Sequence, residues 1–138
     1  MQFQALAALI LTAFALKATA IKVMSVAEMK HWIATTDADL TFIGEPVENI
    51  GLSPLRITVV YCSQRTFNVC GGACNVYTGG ETCIDAPNTN CLSATANVAS
   101  CDSSGCFGSC DAFASCGTRL DNNFCFTPGT ASISVPPS

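Results

Sequence analysis

The cysteine-rich part of this 138-residue chain lacks the residues that most enzymes use for acid–base catalysis. From Ile57 onward there is no histidine and no lysine, and Arg65 and Arg119 are the only basic side chains. A catalytic nucleophile needs a neighbouring base and a third group that orients the base. We therefore expect a protein that is not an enzyme, with no catalytic residues, no bound metal and no cofactor.

Carboxylates are the remaining source of catalytic groups in this region. A pair of them can cleave glycosidic bonds, so a small hydrolase stays the least favoured alternative. On a small scaffold, scattered acids more often serve as surface or turn residues. The sole histidine, His31, is expected to face solvent on a helix near the N-terminus. The five acids of the region are Glu81, Asp85, Asp102, Asp111 and Asp121.

Positive charge is also scarce. From Ile21 onward the chain has ten acidic and five basic residues, a net charge of −5. Nucleic acids and membrane-lytic activity both require a basic surface. We therefore expect no nucleic-acid partner and no membrane insertion. The sequence also contains no Asn-x-Ser/Thr site for N-glycosylation.

Long apolar runs are absent after residue 20. The single run, Ala5–Leu16, holds about a dozen residues, whereas a transmembrane helix needs about 20. It is followed by Ala18-Thr19-Ala20, the small-x-small pattern that signal peptidase accepts. We predict that residues 1–20 are a cleaved signal peptide and that the protein is secreted to the extracellular space.

Residues 21–56 contain no cysteine. The sequence SVAE, beginning at Ser25, has the form of a capping box and predicts a helix over about 26–35. Leu40–Ile43 favours a short strand, and residues 51–54 are typical of a linker. This segment is either an arm that packs on the rest of the chain or a propeptide removed after Arg56, and both alternatives stay open.

Residues 57–138 form the predicted cysteine-rich domain. Between its first and last cysteine, 64 residues contain only eleven Val, Ile, Leu, Phe or Tyr, too few to offset the chain entropy of folding. Disulfides would supply the missing constraint in an oxidising compartment. An even count favours five bridges. The ten cysteines are Cys62, Cys70, Cys74, Cys83, Cys91, Cys101, Cys106, Cys110, Cys116 and Cys125.

Two similar elements, CGGAC at 70–74 and CFGSC at 106–110, stand out among these cysteines. Their spacing is compatible with metal ligands, but there is no histidine nearby and no Cys-x-x-Cys redox motif. We interpret them as disulfide staples whose thiols bond to distant partners. Five cysteines lie up to Cys91 and five after it, so at least one bridge must join the halves. A diverged duplication and chance similarity are both open, and the connectivity is not determined.

Strand and turn signals dominate the domain. Ile57–Tyr61 predicts a strand, and the glycines at 79–80 predict a hairpin that pairs Asn75–Tyr77 with Glu81–Ile84. Asp121–Asn123 predicts a turn. The expected fold class is a small disulfide-rich protein, mainly β-hairpins and loops, with a short N-terminal helix.

Phenylalanines are the candidate contact residues. Phe67, Phe107, Phe113, Phe124 and Phe126 exceed what a thin core can hide. Exposed members would act as anchors for a partner, and we select Phe107, Phe113 and Phe126. The alternative is that each packs on a disulfide.

Three segments carry a resemblance: YCSQRTFNVCGGACNVYTGGETC, TNCLSATANV and GCFGSCDAFASCGTRLDNNFCFTPGTASI. With HWIATTDADLTFIGEP they resemble small secreted cysteine-rich proteins of mushroom-forming fungi. The resemblance covers nearly the whole chain after residue 20. It implies no catalytic residues, and it implies an immunomodulatory action on mammalian immune cells, as in a polypore relative.

Since the sequence argues against catalysis, nucleic-acid binding and membrane insertion, binding to another protein is the function that we favour. We expect a secreted, non-catalytic interaction protein, effector-like or immunomodulatory, that binds a protein or cell-surface receptor on other cells. The alternative is a protease inhibitor that presents a rigid loop between disulfides.

Overall fold

The structure is a computed structural model, and it describes residues 22–53 and 55–137. The predicted signal peptide, residues 1–20, lies outside the described residues. No helix within the two described ranges is long and apolar enough to span a membrane. The main elements are α1 (Val26–Thr35), β1 (Asp39–Gly44), β2 (Ile57–Thr66), β3 (Val69–Gly79), β4 (Thr82–Ala94), β5 (Ala99–Ser103), β6 (Phe107–Ala112) and β7 (Cys125–Val135). The expected fold class, mainly β with a short N-terminal helix, is confirmed.

Helix α1 begins and ends where the local sequence predicts. The Ser25 hydroxyl accepts a hydrogen bond from the Glu28 amide at 3.1 Å, and the Glu28 carboxylate accepts one from the Ser25 amide at 3.0 Å. This reciprocal capping box satisfies two amides that the first turn leaves without intrahelical partners. The helix buries Met29 and Trp32, while His31 faces solvent as expected.

The seven strands of the described chain form a sheet in the order β1-β3-β2-β4-β7-β5-β6. Strand β1, predicted at Leu40–Ile43, pairs with β3 in parallel, and all other neighbours are antiparallel. The described part of residues 21–56 thus contributes an edge strand to the domain's own sheet. Removal of these residues as a propeptide stays a prediction.

The predicted hairpin around Gly79 and Gly80 is wrong in its pairing. Asn75–Tyr77 and Glu81–Ile84 lie largely in strands, but β3 pairs with β1 and β2, and β4 pairs with β2 and β7. Strand β2 separates β3 from β4 in the sheet. Both edges of β3 are already paired, with β1 and β2. After the glycine turn the chain therefore passes over β2, and β4 pairs with the other edge of β2 and with β7.

Strand β2 is buried on both faces and separates two cores. Val59 and Tyr61 face the first core, which also contains Phe113 of the connection between β6 and β7. Val60 faces the second core, which α1 covers with Met29 and Trp32. The Trp32 and Phe124 rings pack with their centroids 5.0 Å apart. The arm is therefore needed to shield the second core from water.

All ten cysteines form disulfides: Cys62–Cys74, Cys70–Cys91, Cys83–Cys106, Cys101–Cys110 and Cys116–Cys125. No bridge closes within CGGAC or CFGSC, and the first cysteine of each bonds to a distant partner, as predicted. The second cysteine of each bonds instead within its own hairpin, at sequence separations of 12 and 9 residues. One bridge, Cys83–Cys106, joins the two halves of the domain. This disulfide therefore holds the two halves of the domain together as one unit.

The two similar elements occupy equivalent places in two hairpins, β2–β3 and β5–β6. In each, the second cysteine bonds to the residue directly opposite on the preceding strand, and the first bonds to β4. Each hairpin also has a bulge at a glycine with φ of +81°, Gly72 or Gly108. A residue with a side chain rarely adopts this φ. The shared geometry supports an internal repeat over chance similarity.

Candidate functional site

The three phenylalanines selected from the sequence lie in different environments. Phe107 is exposed, with 72% of its surface accessible, near the turn between β5 and β6. Phe126 is half-buried, and Phe113 is buried in the first core. Phe113 and Phe126 line one groove, whereas Phe107 lies outside that lining. In this structure Phe113 cannot contact a partner protein directly.

Phe67 is the most exposed aromatic residue of the described chain, with 89% of its surface accessible. It stands in the two-residue turn that joins β2 to β3, between the paired residues Thr66 and Val69. Its φ is +54°, a backbone region in which bulky residues are rare. Phe67 is one of the five phenylalanines of the domain but is not among the three candidate contact residues. The signal was a phenylalanine in a hairpin turn, where asparagine or glycine is usual.

The turn that carries Phe67 is held on several sides. Nε of Arg65 donates a hydrogen bond to the Phe67 carbonyl oxygen at 2.6 Å. The Asp121 amide, in the predicted turn at 121–123, donates to the Asn68 carbonyl oxygen at 2.8 Å. The bridge Cys70–Cys91 ties the base of the turn to β4. Phe67 is thus presented on a braced hairpin.

A groove of about 590 Å³ lies between the β5–β6 hairpin and β7. It forms where β7 separates from β5, because the two strands pair only over Ala99–Cys101 and Ser132–Ser134 of the described sheet. Its walls are the β5–β6 hairpin, the following loop and the first half of β7. This volume lies in the range of small-molecule binding sites.

Two arginines fix the aromatic walls of the groove. The Arg119 guanidinium lies over the Phe113 ring at 4.5 Å, and Arg65 lies over the Phe126 ring at 4.5 Å. Arg119 also donates to the carbonyl oxygens of Phe113 at 2.6 Å and Lys22 at 3.1 Å. Its burial lowers the pKa of Arg119 from its usual value. Both arginines thus hold the walls in place.

The structure brings two of the five candidate acids together. Asp102 and Asp111 line the groove, and the lining does not include Glu81, Asp85 or Asp121. The Asp102 carboxylate accepts a hydrogen bond from the Ser109 amide at 2.9 Å, so one oxygen supports the bulge at the neighbouring glycine. Asp111 is exposed and makes no side-chain hydrogen bond to another described residue. Its carboxylate is available to a ligand.

The CGGAC and CFGSC elements hold no thiol able to bind metal or exchange electrons in this structure, because all four cysteines are in disulfides. The role of these two elements in this structure is to anchor neighbouring hairpins through disulfides. They fasten the two hairpins that carry Phe67 and Phe107 to β4. Within residues 22–53 and 55–137, the groove and the two hairpin tips are the candidate functional surfaces.

Comparison of the chain with protein-family models, curated proteins and solved structures finds no match. The resemblance to secreted cysteine-rich proteins of mushroom-forming fungi therefore stays an expectation from the sequence.

Proposed function

We propose that this is a secreted, non-catalytic recognition protein that inserts Phe67 and Phe107 into apolar pockets of a protein displayed on another cell. One observation carries the proposal. The two most exposed aromatic side chains of the described chain stand near the tips of two disulfide-anchored hairpins. Large aromatic anchors supply much of the binding energy at protein interfaces.

The conformation of Phe67 supports this role. A bulky residue with φ of +54° is strained, and an aromatic ring 89% exposed to water contributes little to folding. Asparagine or glycine would fit the turn better. The presence of phenylalanine here is explained if its side chain serves a contact outside the chain.

The bracing of the tip supports the proposal too. Disulfides and the Arg65 hydrogen bond limit the motion of the tip before binding. A preformed contact surface loses less conformational entropy on association. The five disulfides fit a protein that works outside the cell.

The protease-inhibitor alternative fits this geometry less well. A segment that binds by adding a strand to its partner lies in an extended conformation, and a loop that inhibits a protease in this way needs an extended backbone. Phe67 instead lies in a tight turn with positive φ. A panel of proteases at stoichiometric protein tests this alternative, and we expect no inhibition.

Macrophages are the test cells, because the resemblance implies action on mammalian immune cells. Binding of fluorescently labelled, endotoxin-free protein and cytokine release are measured together. We expect Phe67→Ala and Phe107→Ala each to weaken binding about tenfold or more, as for interface anchors. Phe42→Ala is the matched control, since Phe42 is also exposed but lies on edge strand β1.

The proposal is contradicted if wild-type protein binds the cells without saturation. It is also contradicted if Phe67→Ala and Phe107→Ala bind as well as the control Phe42→Ala. Reduced and alkylated protein is expected to lose both binding and cytokine release. If it still stimulates the cells, a contaminant causes the response.

A further inference from the structure

We propose that the groove between the β5–β6 hairpin and the first half of β7 binds a neutral oligosaccharide. Neither Phe67 nor Phe107 lines this groove, so the proposal does not rest on the proposed function. The inference follows from the charge of the lining, its hydroxyl groups, its apolar wall and its rigidity.

The charge of the lining favours neutral or cationic ligands. The groove is lined by Asp102 and Asp111, and its described lining includes no lysine, arginine or histidine. Arg65 and Arg119 lie outside this lining, against the rings of Phe126 and Phe113. A phosphate, a nucleic acid or an acidic glycan would therefore meet the two carboxylates with no basic side chain among the lining residues.

Hydroxyl groups dominate the polar part of the lining. Five hydroxyl side chains line the groove, and a hydroxyl can both donate and accept hydrogen bonds. The Thr130 hydroxyl already donates to the Thr127 carbonyl oxygen, so it is left to accept. Sugar hydroxyls have the same double capacity, and a free carboxylate such as that of Asp111 can accept from two of them. The five residues are Ser100, Ser109, Ser115, Thr127 and Thr130.

Thr127 gives a second, independent indication. Its hydroxyl is buried and has no hydrogen-bond partner among the described residues. An unpaired buried hydroxyl is unfavourable for the folded protein. Thr127 lines the groove, and less than 1 Å² of its hydroxyl oxygen is exposed, so a ligand hydroxyl supplies the missing partner only if the Thr127 side chain rotates toward the groove.

The apolar wall fits the other face of a sugar. Phe126 and Pro128 supply the accessible apolar surface of the lining, whereas Phe113 also lies among the lining residues but is only 3% exposed and does not contact a ligand. Sugar rings present C–H groups on their faces, which pack against such surfaces. Since an arginine covers one face of each phenylalanine ring, the orientation of both rings is set before binding.

Two disulfides hold the opposite walls. Cys101–Cys110 crosses the β5–β6 hairpin, and Cys116–Cys125 ties the loop to β7. A rigid site avoids the entropy cost of ordering its walls around a weakly held, flexible ligand.

A basic peptide is the competing occupant, because two aspartates attract cations. Asp102 accepts hydrogen bonds from the Ser109 amide and the Ser103 hydroxyl at one carboxylate oxygen, Oδ1, and keeps its charge. Two carboxylates therefore stand among five hydroxyl side chains. A polyhydroxylated neutral ligand can pair with both kinds of group, whereas a cation pairs with the carboxylates alone.

An array of neutral gluco-, manno- and chito-oligosaccharides provides the test, followed by calorimetry with the strongest binder. We expect Asp111→Ala to weaken binding at least tenfold. Thr127→Val is expected to weaken it several-fold without lowering the melting temperature, because valine keeps the shape and removes the unpaired hydroxyl. Asp37→Ala is the matched control, an exposed acid on the N-terminal arm.

Three outcomes overturn the proposal. They are no binding by any arrayed oligosaccharide, equal binding by wild-type protein and Asp111→Ala, and displacement of the bound sugar by a lysine-rich peptide that binds more tightly. Phe67→Ala is expected to keep oligosaccharide binding, so failure of the hairpin contact and failure of the groove can be distinguished.

Discussion

Arg65 lies over the ring of Phe126, with its guanidinium carbon 4.5 Å from the ring centroid. The same side chain donates from Nε to the Phe67 carbonyl oxygen. One arginine of β2 therefore braces the exposed turn and orients a wall of the groove. The two candidate surfaces meet at this residue.

Replacing Arg65 tests this bracing. We expect Arg65→Ala to lower the free energy of unfolding by about 1 kcal/mol, since a cation–π contact and a hydrogen bond are lost at a partly exposed site. Urea unfolding measures the loss, and hydrogen exchange at Asn68 and Val69 measures the loosened turn. Arg65→Lys keeps the charge but not the planar guanidinium, so it should restore only part of the stability. Unchanged exchange in both variants would contradict the bracing role.

Replacing Phe67 should separate stability from binding. Asparagine tolerates positive φ better than phenylalanine, so Phe67→Asn is expected to raise stability by about 1 kcal/mol. The same variant should lose cell binding, because the aromatic anchor is gone. Thermal unfolding and the macrophage assay measure the two effects on one sample. A lower melting temperature would show that Phe67 stabilises the fold instead.

The N-terminal arm is tested at Trp32. Its ring is 7% exposed and packs on Phe124 in the second core. We expect Trp32→Ala to cost about 3–5 kcal/mol, the usual range for removing a buried aromatic ring. His31→Ala, an exposed change on the same helix, should stay within about 0.5 kcal/mol.

Intact mass of the secreted protein decides between an arm and a propeptide. A chain that starts at Ile21 keeps α1 and β1, and the Trp32 effect should then appear in denaturant unfolding. A chain that starts at Ile57 would lack both elements. The mature domain would then expose the part of the second core that the arm covers.

The bridge between the halves is tested by mass mapping. Cys83 should be linked to Cys106, with no alkylation before reduction and ten alkylated sites after it. We expect the double variant Cys83→Ser and Cys106→Ser to lose about 2–5 kcal/mol. A peptide that links Cys83 to any other cysteine would refute this connectivity.

The two tyrosines of the chain report on pH. Burial, and then the charge of Asp85, raise the pKa of Tyr61 above its ordinary value of 10.0. Burial, and then Glu45, raise the pKa of Tyr77, while Arg56 partly opposes the shift.

Folding therefore favours the protonated phenols. Their contribution to stability is fully present below pH 10.0, the ordinary pKa, and is lost as the pH rises through the raised values. Absorbance at alkaline pH should show both tyrosines ionising later in the folded protein than in urea. Ionisation at the same pH in both states would contradict the burial of Tyr61.

Local sequence was sufficient for α1 and β1. The capping box of Ser25 and Glu28 spans four residues, so its hydrogen bonds need no tertiary structure. Strand signals also located β2, because a run of β-branched and aromatic residues is a local property. The pairing of β3 and β4 depended on which edges were already occupied, and a pair of glycines does not encode that.

The same division applies to the candidate sites. The sequence by itself determined that ten cysteines must constrain a thin core, and that an odd number in each half requires a bridge between them. Only the tertiary structure decided that Phe113 is buried, that Phe67 stands exposed, and that Asp102 and Asp111 share a groove. The physical reason is that the sequence gives the number of residues of each type. The exposure of a side chain and its distance from another depend on contacts between strands that are distant along the chain.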